Sequence, residues 1–523
     1  MFKRIFTSIT AVILMIALAC GMVACDATYE PSEETYKQAF AKQCEAISSG
    51  IDEYYDLMEE RSLNNMSVNA TMSVNLSKDL LSLLETEAGM ELDWINKVTY
   101  TVSESFKEEV MSMAASLAYD GKTIISGQSI MNLAKGIAYI GVPELNDKFL
   151  KVDLEDVGMT GTVKNAFLET LLTMDVMEVL PDKDALKGLV TTVLMTIVDN
   201  LEGVDFDEST IEVNGVEQEC VEYVLELSPQ DLANMGIAVL EAIQDSEDFE
   251  TIVADLMDYV TDMAKDFGLS SSEIPDEDEV FEMLDEALDE AIDGLKSMKS
   301  SLPKNDMIVL TSYITNKLEI LGMEIVVKGV VAGEDVTAFF GTATNEEGEI
   351  GSEISVTAGE TKYVEIIGDL KEEDGKISGD YDVKYNGSSL IVIELEDVDS
   401  GKLDEGYLVG SFTIAPSNGL MDLLGSEAAM IAGFSLKFDV EECDMENLKA
   451  TVSVMNGKVN FASITFDAEM GEGEKVDTPK NTEKDPEEWI SDFDMDKVIK
   501  TAKDNDAPKE LIELLEMLEE EIG

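Results

Sequence analysis

The sequence predicts an α+β protein: a large curved antiparallel β-sheet, an open barrel or half-barrel, with amphipathic helices packed on it. Three observations predict it. Residues 66–76 alternate at period two, with Met66, Val68, Ala70, Met72, Val74 and Leu76 against Ser67, Asn69, Thr71, Ser73 and Asn75. That is the pattern of a strand with one wet face. Residues 307–470 read almost wholly as such strands, punctuated by Asp374-Gly375, Asn386-Gly387 and Asn456-Gly457. These pairs tolerate the positive φ of a tight hairpin. Between the strand runs lie stretches with apolar residues at steps of three and four and acids on the other side, the signature of helices lying on a core.

Taken in order, Ser32 caps a helix running to about residue 60, with Tyr36, Phe40, Cys44, Ile47, Ile51, Tyr54 and Met58 as one stripe. The strand 66–76 follows, then an insertion with helical spacing near 80–87. Strands at Val98–Val102 and Met111–Tyr119 lead to a hairpin turn at Asp120-Gly121, and short strands fit 137–142 and 149–154. Residues 164–201 carry helical signals broken at Pro181, and their acids Asp175, Glu178 and Asp184 make them a poor membrane span. Asn214-Gly215 joins two strands. Ser228-Pro229-x-Asp231 then starts the first of three amphipathic helices, the second ending at Gly268 and the third near Pro303. In the long strand region Tyr381, Val383 and Tyr385 share a face, as do Phe434, Leu436, Phe438 and Val440. Phe461–Ile464 breaks the alternation, which predicts a bulge.

The first twenty-five residues supply an address. Lys3 and Arg4 open the chain, an uncharged apolar stretch follows, and Cys20 and Cys25 precede the first acid, Asp26. A basic start, an apolar middle and a small-residue exit describe a secretory signal. Met22-Val23-Ala24-Cys25 resembles the lipobox of bacterial lipoproteins, with Met22 in place of the usual leucine. The resemblance implies cleavage before a cysteine that carries diacylglycerol, and palmitate in the acyl chains. Cys25 is the expected attachment residue and Cys20 the rival. Two acyl chains are what stable anchoring needs, because each buried methylene contributes about 0.8 kcal/mol and one chain binds only reversibly. The expected location is the extracytoplasmic face of the cell membrane.

Composition excludes much. With 36 basic against 110 acidic residues the net charge is −74, so nucleic acid and anionic head groups are repelled and no nucleic-acid partner is expected. The chain has no histidine, which removes Ser-His and Cys-His nucleophiles and His-ligated metal sites. Cys44, Cys220 and Cys443 are far apart in sequence and read as buried or half-buried thiols. Gly121-Lys122-Thr123 lacks the glycine loop that cradles phosphate, and Ser301-x-x-Lys304 sits at a helix end instead of a helix start. Asp492, Asp494 and Asp496 open like a calcium loop, but Lys497 and Lys503 stand where glycine and the bidentate acid belong. Asp397-Val-Asp399-Ser-Gly401 has its glycine one place early. Solvated acidic loops are the plainer reading, and no cofactor or metal is expected.

The order helix, meander, helical insertion, longer meander resembles the LolA/LppX-like carriers of bacterial envelopes. The stretch from Gly136 through Tyr139 and Pro143 to Phe149 and Val152 looks like that family's paired strands, and the Asn214-Gly215, Cys220, Ser228 passage is similar. The likeness covers residues 34–305. It implies a curved sheet whose cavity holds acyl chains and names no ligand contact. The organisation expected is a signal peptide at 1–24, a tether at 25–33, a helix with strands and helical insertions at 34–305, a β-meander at 306–470, a polar linker at 471–488 and C-terminal helices at 489–523. The expected function is non-enzymatic binding of a lipid or other amphiphile by a surface-anchored lipoprotein. An envelope scaffold that meets a protein partner stays open beside it, as does a glycoside hydrolase working with carboxylates alone, although two tryptophans offer little for sugar stacking. The abundant methionines suit core filling or a pliable apolar lining.

Overall fold

A computed structural model describes residues 29–60, 65–89, 91–107, 110–132, 135–154, 180–266, 276–305, 307–331, 333–425, 433–444 and 446–522. The leader with Cys20 and Cys25, residues 164–179 of the expected helical stretch, and Gly268 lie outside these residues.

Among the described residues, twenty strands form one mostly antiparallel sheet that does not close. The first arm is a meander of β1 (Asn65–Leu76), β2 (Val98–Lys107), β3 (Val110–Tyr119), β4 (Lys122–Asn132), β5 (Ile137–Gly141) and β6 (Phe149–Asp153). The second arm starts at the far edge with β7 (Asp205–Val213) and β8 (Val216–Leu227). It continues through β9 (Ile308–Ile314), β10 (Ile320–Val331), β11 (Glu334–Thr344), β12 (Glu349–Ala358), β13 (Thr361–Glu373), β14 (Lys376–Tyr385), β15 (Ser388–Asp399), β16 (Gly410–Pro416), β17 (Phe434–Cys443), β18 (Asn447–Asn456) and β19 (Val459–Gly471). Each strand pairs with the next, and β19 then pairs antiparallel with β1, Met72 opposite Phe466. One ladder therefore crosses residues 305–306, since Val221 of β8 stands opposite Ile314 of β9. A two-residue strand, β20 (Thr482–Glu483), adds in parallel to β6.

Local chemistry explains the turns. Asn214 and Gly215 have φ of 48° and 83°, and Asp374 and Gly375 have 53° and 74°, the left-handed pair a two-residue hairpin needs. The β18–β19 turn is displaced by one residue from Asn456-Gly457 to Gly457-Lys458. The bulge expected near Phe461 lies beside this turn: Val454 faces Ala462 while Met455 faces Asn460, so Phe461 is the extra residue. The long β region is not wholly strand. Two short helices interrupt it, α7 (Ser400–Asp404), capped by the Asp399 carboxylate, and α8 (Asn418–Leu424).

Most of the longer helices gather at the ends of the sheet. Helices α1 (Glu33–Glu60) and α3 (Lys183–Asp199) lie on β8–β10, and Tyr36, Phe40, Cys44, Leu194 and Val198 bury against Tyr223, Leu225, Leu310, Met323 and Ile325. Helices α4 (Pro229–Gln244), α5 (Glu247–Asp266) and α6 (Glu277–Lys299) stack outside α3 and on one another. A reciprocal cap starts α4: the Ser228 hydroxyl accepts from the Asp231 N–H, and the Asp231 carboxylate accepts from the Ser228 N–H, worth about 1 kcal/mol. Helix α2 (Lys78–Ala88) is the insertion between β1 and β2. At the other end, after α9 (Pro486–Ser491), α10 (Met495–Asp504) and α11 (Lys509–Ile522) bury Val498, Ile499, Leu511 and Leu515 with Tyr119, Ile124 and Leu145.

The sheet also rolls up at its β7 edge. The β7–β8 hairpin folds over β11 and β12, so Ile211, Val213, Val216 and Cys220 bury with Leu321 and Ala343. The approach is close enough that a Cβ on Gly351 would fall 1.9 Å from the Val213 carbonyl oxygen.

Candidate functional site: an open apolar face

Register decides which side chains share a face. Met323 of β10 stands opposite Phe340, Phe340 opposite Ile354, Ile354 opposite Ile366, Ile366 opposite Val383, and Val383 opposite Ile391. A neighbouring row runs from Val74 through Ile464, Val452, Phe438 and Phe412 to Leu395. Tyr381 and Leu436 are joined through Ile393 and Ile414, so the two aromatic sets seen in the sequence lie on one face. That face is apolar from β3 to β10.

Its cover is not continuous. Met323, under α1 and α3, is 0% exposed, whereas Ile354, two strands further along the same row, is 52% exposed. Val356, Val364, Tyr385, Leu436, Leu448, Ile464, Phe466, Tyr100 and Met113 are each more than a third exposed on this side. These exposed side chains are spread over eleven strands from β12 to β3, about 48 Å at the usual strand spacing. Contiguous apolar surface beyond a few hundred Å² on a folded chain marks a contact site. Phe412 and Phe438 stack there with centroids 4.5 Å apart and planes 5° from parallel.

The reverse face is polar over the same strands. Thr71 and Thr101 approach at 3.3 Å, Thr451 and Thr465 at 3.0 Å, and Ser453 and Ser463 are buried. Lys437 pairs with Asp439 at 2.9 Å and Lys362 with Glu365 at 2.8 Å. A hollow of about 280 Å³ lies at β1–β4, lined by Ser67, Asn69, Ser103, Ser105, Ser112 and Gln128 together with Glu474 and Val476. The segment after β19, read as a polar linker, crosses this region as a strap. The Glu474 N–H donates to the Ser105 hydroxyl at 2.7 Å, and the Lys107 ammonium donates to the Gly473 carbonyl at 2.8 Å.

No protein-family model matches the chain, and comparison with curated proteins finds no relative.

The sequence-singled residues fall in separate places. Cys44 is buried beneath α1, Cys220 inside the roll and Cys443 half-buried at a strand end, all as free thiols. Burial pushes the Cys220 thiol up to about 11 and raises that of Cys44. Asp492 pairs with Lys148 at 2.7 Å, and Asp494 precedes α10. Among the described residues no cluster of His, Cys, Asp and Glu suits a metal ion. No described helix is long and apolar enough to cross a membrane.

One grouping escaped the sequence. Glu222, Tyr313 and Glu324 meet on the inner side of the roll beside Cys220. Burial, then the Glu222 charge, raises the Glu324 carboxyl. Burial and the two carboxylates push Tyr313 up to about 12. Their sequence spacing carries no signal, because three different strands bring them together.

Proposed function

We propose that the chain is a lipid-anchored extracytoplasmic lipoprotein that holds the acyl chains of an amphiphile against its open apolar face. The observation that carries this reading is the break in cover along one row, from Met323 at 0% to Ile354 at 52% exposure. Aliphatic and aromatic side chains on that face offer dispersion contacts and remove apolar ligand surface from water, at roughly 25 cal/mol per Å². Methionine and β-branched residues accept chains of varied length without fixed polar contacts. The lipobox-like Met22-Val23-Ala24-Cys25 and the likeness to envelope carriers support the location and the ligand class. The absence of histidine agrees with a holding role.

Native mass spectrometry of gently purified protein, followed by solvent extraction, is the test. A co-purifying acyl lipid is expected in the native chain. Its loss is expected in Ile354→Asp and Phe466→Asp, with folding retained, because both side chains already meet water. An empty native protein, or variants that keep the lipid, would refute the carrier role; recurrent capture of one protein partner without lipid would favour the scaffold.

A further inference from the structure

The first described residue is already fixed. The Tyr29 N–H donates to the Asn316 carbonyl at 2.8 Å, and the Tyr29 ring packs on the core beneath α1. The Ser32 backbone bonds the Tyr223 hydroxyl. Thr35 closes the entry, its N–H donating to the Ser32 hydroxyl at 3.0 Å and its hydroxyl to the Glu30 carbonyl at 2.6 Å. The tether expected over 25–33 is therefore docked from Tyr29 onward.

Asn316 belongs to the turn between β9 and β10. Alternating strand direction places the turns 345–348 and 374–375, with Asp444 and Glu446, on that same rim of the sheet, while 359–360 and 386–387 lie on the opposite rim. The Asn316 rim exposes Glu346, Glu347, Asp374 and Glu446 together with Lys317 and Lys376, and Lys371 pairs there with Glu373 at 2.7 Å. Cys25 precedes Tyr29 by four residues, and four residues reach at most about 14 Å.

We infer that the anchored protein stands on this rim, with its strands rising from the bilayer and the apolar face opening sideways instead of lying on the lipid. The partner surface is the membrane itself. The inference rests on Cys25 as the anchor. A strand of ten residues rises about 33 Å, so the opposite rim stands well above the head groups. The short tether sets which edge is near, and the charged side chains of both signs on that edge, which favour water over hydrocarbon, keep the body from sinking.

Energy transfer from labelled protein to head-group acceptors tests the orientation. The full lipidated chain, with Cys443→Ser, carries a thiol-reactive donor at Lys317→Cys on the near rim or at Glu360→Cys on the far rim. Buried Cys44 and Cys220 stay unlabelled in the native state. In phosphatidylcholine vesicles, quenching at position 317 should exceed that at position 360 several-fold. Equal quenching, or stronger quenching at 360, would overturn the inference and put the body on its side. Inserting a flexible Gly/Ser linker of about twelve residues, roughly 20 Å of reach, between Asp26 and Ala27 should erase most of the difference. A difference that survives the linker would show that the tether does not set the orientation. Intact mass without diacylglycerol on Cys25 sinks the inference as well. The acyl-binding reading stands or falls separately, on whether an unanchored body retains lipid.

Discussion

Two regions of one sheet handle the same apolar face in opposite ways. At β8–β10 the face is sealed by α1 and α3, and the strand pair β7–β8 rolls over the reverse side, so both sides are dry. From β12 to β3 the face continues across several bulges, but many of its apolar side chains are more than a third exposed, and the reverse side is hydroxyl and ion pair. The rolled end has what a core requires. The middle leaves much of its apolar side to water and keeps polar groups such as Ser453, Ser463 and Glu365 buried on the other side. Burial and exposure of one apolar face are thereby assigned to different strands of one continuous ladder.

The largest test of that division compares two truncations in one row. Met323→Ala should cost about 2–5 kcal/mol, since its cavity is enclosed. Ile354→Ala should cost less than about 1 kcal/mol, because half of its surface is already wet. Urea unfolding measures both, and similar losses would dissolve the distinction between sealed and open regions. Gly351→Ala comes next: the new methyl meets the Val213 carbonyl, and prising the hairpin off β12 should cost about 1–3 kcal/mol. The same measurement would contradict the roll if the variant were neutral.

A smaller, pH-dependent effect probes the inside of the roll. The Glu324 carboxyl is raised in the folded state, so its charged form burdens the fold. The burden is present above the folded pKa and is relieved as pH falls toward the ordinary value near 4.3, where the unfolded chain also takes up the proton. Glu324→Gln should raise the melting midpoint at pH 7, with the gain shrinking as pH approaches 4; a gain independent of pH would remove the electrostatic cause. The smallest effect is one of rate. Iodoacetamide at pH 8 should modify Cys443 first, with Cys44 and Cys220 protected until unfolding, as peptide mapping would show. Early modification of Cys220 would mean that the roll opens readily.

Much of the architecture was legible in particular residues. Period-two alternation marked β1, Asn214-Gly215 and Asp374-Gly375 marked their hairpins, and the broken alternation near Phe461 marked a bulge. These signals are local, because backbone φ and strand pleat act within a few residues. The open face was half legible: alternation showed that each strand had an apolar side, but not that Tyr381 and Leu436 stand on the same side of one sheet. The Glu222, Tyr313 and Glu324 grouping was not legible at all, since its members are neighbours only through pairing and rolling. The displaced Gly457-Lys458 turn shows the same limit at small scale.

The sequence by itself determined most of the strands and hairpins, the sign of the surface charge and the absence of imidazole chemistry, because these depend on residue identity and short spacing. The tertiary structure alone decided that β1 closes against β19, that the β7 edge rolls inward and that Tyr29 is tied to the β9–β10 turn. It also decided where the apolar face stays bare. Those outcomes depend on contacts between residues hundreds of positions apart, and whether an apolar side chain is core or binding surface is set by what arrives to cover it.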